Sequence, residues 1–160
     1  MRPQVYFDIS IGGEPAGRMT FELFSDIVPI TSENFRALAV GNKTPLKYAG
    51  SSFNRVIPGF MAQGGEDDIY GAYFVDKTFD VKHSKRGILT MGNDGQNRNT
   101  TQFHITFGPA PALDGKHVAF GEVIDTPDNH RLLDLIENTP TSRHNAAPVK
   151  EIKIEKAGQL

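Results

Sequence analysis

A mostly antiparallel β fold with two helices, consistent with a closed barrel whose open ends are covered, is what the sequence predicts. Three observations carry this. First, Val5, Phe7, Ile9 and Ile11 are apolar at odd positions while Asp8 and Ser10 are polar, the period of a half-buried strand. Gly12-Gly13 turns the chain, and Met19, Phe21 and Leu23 then alternate with Thr20 and Glu22, so the first two strands form an antiparallel pair. Second, the period changes twice. From Pro29 to Val40, Phe35, Leu38 and Ala39 share a helical face, with Thr31 or Ser32 as N-cap and Gly41 as stop. After Thr126-Pro127-Asp128, Leu132, Leu133, Leu135 and Ile136 form a second helical stripe, with Asp128 or Asn129 as cap. Third, Phe53 to Ile57, Gly87 to Met91, Gln102 to Phe107 and His117 to Val123 are short strand-like runs between Gly- and Pro-rich punctuation. Lys150 to Lys156 supplies a last strand, with Ile152 and Ile154 on one face.

Residues 1–160 read as a single domain, since no repeat, linker or low-complexity tract divides them. A chain of this length buries roughly 70% of its unfolded surface and needs no covalent staple. Cysteine is absent, which excludes disulfides, thiolate catalysis and Cys-ligated zinc. The formal net charge of −2 has its Lys and Arg spread along the sequence, without the basic stripe that neutralises phosphates, so no nucleic-acid partner is expected. No apolar run approaches the roughly 20 residues of a membrane-spanning helix, and the N-terminus leads into a strand rather than a signal peptide. The expected compartment is the cytoplasm, with the nucleus left open.

Several motifs fail on inspection. The five histidines, His83, His104, His117, His130 and His144, lack the close spacing that presents two metal ligands on one element, so no metal is expected. Gly41-Asn42-Lys43-Thr44 lacks the upstream glycine and the Gly-Lys pair of a phosphate loop, and it follows a helix instead of preceding one. No Gly-x-Ser-x-Gly elbow is present.

The informative stretch runs Phe53-Asn54-Arg55-Val56-Ile57-Pro58-Gly59-Phe60-Met61-Ala62-Gln63-Gly64-Gly65, one cation and one amide among hydrophobes in a strand-turn-strand context. With Gly87-Ile88-Leu89-Thr90-Met91, Gln102-Phe103 and Leu113-Asp114-Gly115-Lys116-His117, it resembles the cyclophilin-type peptidyl-prolyl cis/trans isomerases in ordered blocks from Val5 to Leu160. The resemblance implies an eight-stranded antiparallel barrel with a helix at each end and a substrate groove on its outer surface. Strand parity agrees independently: Phe103, Ile105 and Phe107 share one face, so Gln102, His104 and Thr106 share the other.

By this resemblance the protein is an enzyme that needs no cofactor and acts on proline-containing peptides and proteins. Arg55 is its catalytic cation, assisted by Gln63 and Gln102. Phe60, Met61 and Leu113 seat the substrate proline; Gly92, Asn93 and Asp94 hold the flanking peptide; His104, Ala112 and His117 complete the groove. Each has a plainer reading. A strand arginine is ordinarily a solvated charge, Phe60 and Met61 would ordinarily be core, and His117 could simply fix its loop by a hydrogen bond.

Three departures from the family pattern bear on activity. His104 stands where cyclophilins usually place a second phenylalanine in the proline pocket; its ring is more polar and ordinarily gains charge near pH 6.5. Losing part of an apolar contact worth about 1.5 to 3 kcal/mol weakens binding roughly tenfold, so reduced activity is expected, falling further on protonation. Ala112 replaces the tryptophan whose indole N–H contacts cyclosporin in many members, so weak cyclosporin binding is expected. After Gly64-Gly65-Glu66 the chain passes through Asp67-Asp68 to Ile69-Tyr70-Gly71, omitting a Gly-rich segment and placing acidic groups near the subsite before proline, which favours basic residues there. These departures keep a second reading open, a cyclophilin-like module that binds Pro-containing partners with little turnover. A β-barrel carrier of an apolar ligand leaves the ordered motifs unexplained. The expectation is a monomer, with membership of a larger complex left open.

Overall fold

The computed structural model describes residues 2–41, 47–65, 80–91, 102–142 and 145–160. The first two strands, β1 (Gln4–Ile11) and β2 (Glu14–Leu23), pair antiparallel across the Gly12-Gly13 turn, where both glycines take positive φ. Their alternation buries Val5, Phe7, Ile9, Met19, Phe21 and Leu23 as expected. The remaining strands are β3 (Ser52–Phe53), β4 (Arg55–Ile57), β5 (Met61–Gly64), β6 (Ile88–Met91), β7 (Phe103–Thr106), β8 (Ala119–Val123) and β9 (Ile152–Gln159). Among the described residues every pairing between strands is antiparallel, in the order β3-β9-β1-β2-β8-β6-β7-β5-β4.

The two ends of that order, β3 and β4, are separated in the chain by Asn54 alone. Segment 52–57 is therefore one extended stretch that kinks at Asn54, giving one half to β9 and the other to β5. Counted as one strand, it turns the nine strands of the described residues into the eight expected and brings the sheet round on itself.

Among the described residues, two α-helices cover the barrel. The first, α1 (Pro29–Val40), has the predicted bounds and ends on Gly41 at φ 76°, whose N–H donates to Ala37 O. Its predicted caps were misplaced: Val28 is the N-cap residue, without a side-chain cap bond, and Thr31 and Ser32 are buried inside the helix. Pro29 at the first turn supplies the start signal instead, because proline gives up no helical hydrogen bond there. The second, α2 (Pro127–Glu137), is capped by Thr126, whose hydroxyl accepts from Asn129 N–H at 3.2 Å, rather than by Asp128 or Asn129. Asn129 is buried and binds Thr20 and Ile124, tying α2 to β2. Leu132, Leu133 and Ile136 face the core, but Leu135 is 42% exposed, since it falls off the narrow stripe that the barrel mouth can cover.

The interior is aromatic. Phe103 lies within 5.1–5.8 Å, centroid to centroid, of Phe7, Phe35, Tyr48 and Phe53. Such edge-on arrangements add to area burial because ring edges and faces carry opposite partial charge. Gly64 makes room for this ring, since a Cβ there would stand 2.7 Å from Phe103 Cζ.

Candidate functional site

Register alone assembles the site. Arg55 pairs with Gln63, Gln63 with His104, and His104 with Thr90, crossing β4, β5, β7 and β6. Directly paired residues of antiparallel strands project from the same face. Since Val56, Ala62, Phe103, Ile105, Leu89 and Met91 belong to the core cluster, this row lies on the outer face. Ile57, Met61, Thr106 and Ile88 share that outer face, two residues along each strand.

The row is open at one end and covered at the other. Arg55 is exposed and Gln63 half-buried, whereas Thr90 and Thr106 are fully buried. The segment 80–87 contributes to this cover, because Thr106 Oγ1 donates to Lys85 O at 2.9 Å. His83, in the same segment, is buried, and Asp114 Oδ1 accepts from both its backbone N–H and its Nδ1, each at 2.7 Å. Those two bonds hold the Asp114 carboxyl below its usual range and fasten the turn after Leu113 to the segment.

Met61 and Leu113 are buried yet stand outside the main core cluster. Leu113 ends a short 3-10 turn, Pro111–Leu113, and His117 N–H donates to its carbonyl at 3.0 Å. His117 returns to the row: its ring centroid is 5.7 Å from that of His104, and its Nδ1 donates to Met91 O at 2.9 Å. It thus both faces His104 and fixes its own loop. Phe60 is half-buried, Gln102 half-buried just before β7, and Ala112 exposed. Gly92, Asn93 and Asp94, and the shortened loop through Asp67-Asp68, lie outside the described residues. Among the described residues, no helix is long and apolar enough to cross a membrane, and no cluster of three or more metal-ligating side chains occurs.

His104 behaves differently from the sequence expectation. Its Nε2–H donates to Gln63 Oε1 at 3.2 Å, while its Nδ1 is buried. Burial first, then the neighbouring His117, Arg55 and His83, push its pKa down to about 4. The ring is therefore neutral wherever activity would be assayed, and the expected loss on protonation near pH 6.5 is corrected. Catalysis should be independent of this group from pH 8 to pH 5.5, which a pH series of exchange rates checks.

The same shift acts on stability. The folded pKa lies below the unfolded one, so the unfolded chain takes up a proton first. The contribution is complete above pH 6.5 and is lost as pH falls towards about 4. Between pH 7 and pH 5 it should cost about 2 kcal/mol, a loss that His104→Phe removes, as urea unfolding of both proteins at both pH values would read.

Residues 6–159 match the family model described as cyclophilin type peptidyl-prolyl cis-trans isomerase/CLD. The chain is 48% identical to the peptidyl-prolyl cis-trans isomerase D of Kluyveromyces lactis, over 99% of its own length and 46% of the relative's. It is 43% identical to the peptidyl-prolyl cis-trans isomerase cyp11 of Rhizopus delemar, over 100% of its length and 51% of the relative's. Both alignments run to 176 positions, more than the chain's own 160 residues, so each relative carries residues that this chain omits. The chain spans about half the length of these curated relatives.

Proposed function

We propose that this chain, which belongs to the cyclophilin-type peptidyl-prolyl cis-trans isomerase family, catalyses rotation about X-Pro bonds in peptides and proteins. Resonance stiffens such a bond, leaving a barrier near 20 kcal/mol. A turnover of about 10 per second requires lowering it by roughly 4 kcal/mol, and rotation needs no covalent intermediate.

In the twisted transition state the prolyl nitrogen becomes pyramidal and regains its lone pair. A charged donor there favours that state over the planar amide. Arg55, at the open end of the row, is the group that meets this need. Met61, Leu113 and Phe60 seat the proline ring, so one side of the bond is held while the other turns. Gln63 gives its carbonyl to His104, which leaves its amide N–H groups to hold substrate carbonyls. Gln102 and His117 complete the groove in this proposal.

The observation that carries the proposal is the lateral Arg55–Gln63–His104 row beside apolar side chains outside the core. Two-dimensional exchange NMR on a proline peptide tests it. Enhanced exchange is expected, and His104→Phe should raise it severalfold, up to roughly tenfold, by restoring apolar surface to the seat. Binding without enhanced exchange would instead favour the module that grips proline-containing partners, a reading that the polar imidazole in the seat keeps in play. The exposed Ala112 accords with weak cyclosporin affinity, and action as a cytoplasmic monomer completes the proposal.

A further inference from the structure

The turn that presents Phe60 is held from outside the groove. Ile57-Pro58-Gly59-Phe60 has proline at its second position and Gly59 at φ 78° at its third, and Phe60 N–H donates to Ile57 O at 3.0 Å. These are the marks of a type II turn. Types I and II differ by a flip of the central peptide, so the direction of the Gly59 N–H distinguishes them. That N–H donates to Glu137 Oε2 at 2.7 Å, across 78 residues of chain. On its far side Phe60 is tied to the sheet, its carbonyl accepting Phe107 N–H at 2.9 Å.

Glu137 also sits against a local rule. It is the last residue of α2, whose final turn contains Asp134 and no basic residue, although the negative end of a helix disfavours carboxylates. Arg86 offsets this, with Nη2 donating to Asp134 Oδ1 at 2.6 Å and to Glu137 Oε1 at 3.3 Å. One carboxylate oxygen of Glu137 thus meets the guanidinium and the other the turn. A residue that opposes local preference while making a directed long-range bond marks a site where function outweighs stability.

We infer that Glu137 is a positioning residue: by holding the central peptide of the Pro58-Gly59 turn, it sets Phe60 as one wall of the proline seat. Charge-assisted bonds to backbone N–H groups are strong enough to select between turn types. The consequence for substrate rests on the isomerase reading of the groove; the lock on the turn does not.

The test compares Glu137→Ala, Glu137→Gln and Asp134→Ala with the parent protein. Three quantities are read by NMR: hydrogen exchange at the Gly59 amide, the dissociation constant of an X-Pro peptide, and its catalysed exchange rate at saturation. Glu137→Ala should speed Gly59 exchange and weaken peptide binding about fivefold, with less than a twofold change in the saturated rate. Glu137→Gln, whose carbonyl still accepts the N–H, should keep affinity within about twofold. Asp134→Ala removes an Arg86 partner but leaves the turn bond, and should change none of the three quantities. Unchanged Gly59 exchange or unchanged affinity in Glu137→Ala overturns the inference, as does equal weakening by Asp134→Ala. A parent protein that binds peptide without catalysing exchange overturns the isomerase reading, while the Gly59 and affinity measurements still decide this one.

Discussion

Arg55→Ala is expected to lower catalysed exchange of an X-Pro peptide about a hundredfold, by removing the charged donor proposed to meet the developing lone pair. Folding should be almost unaffected. The side chain is exposed at the open end of the row, so its loss should move Tm by no more than about 2 °C. Peptide affinity should fall less than the rate, because the planar ground state gains less from the guanidinium than the twisted one does. Exchange NMR at saturating peptide, with a thermal melt of the same sample, separates the two effects. Full activity in Arg55→Ala would remove the proposed mechanism.

Phe103→Ala is the substitution expected to damage the fold most, by about 3–5 kcal/mol. Its ring touches four other aromatic rings and fills the space that Gly64 leaves free. The cavity would open beneath β7, whose next residue is His104, so peptide binding should weaken along with stability. Urea unfolding gives the energy, and a loss below about 1 kcal/mol would mean that the neighbouring rings collapse into the space.

Local patterns were legible wherever one face of an element is buried. The alternation of Phe103, His104 and Ile105 places the histidine outside and its two apolar neighbours inside, independently of strand pairing. Pro29 and Gly41 bounded α1 correctly because their backbone preferences are intrinsic. Contacts between distant segments were not legible. The Thr126 cap depends on where the chain leaves β8, and the exposure of Leu135 depends on how much of α2 the barrel can cover. His104 looked titratable because nothing local buries it; the packing around the row and the neighbouring Arg55, His117 and His83 come from elsewhere in the chain. Glu137 carried one faint signal, an acidic residue in the last turn of a helix, and gave no hint that its partner lay in the Pro58-Gly59 turn.

The pairing of β1 with β9, from Val5 opposite Gln159 to Ile11 opposite Ile152, has a kinetic consequence. Two strands far apart in the chain must meet before the sheet can close, so folding carries a large loop entropy and belongs among the slower, non-local topologies. On the ribosome, β1 can zip onto β2 at once, yet its other flank presents bare amide and carbonyl groups until β9 emerges. A nascent chain is thus prone to pairing with a neighbour throughout the interval between the emergence of β1 and that of β9.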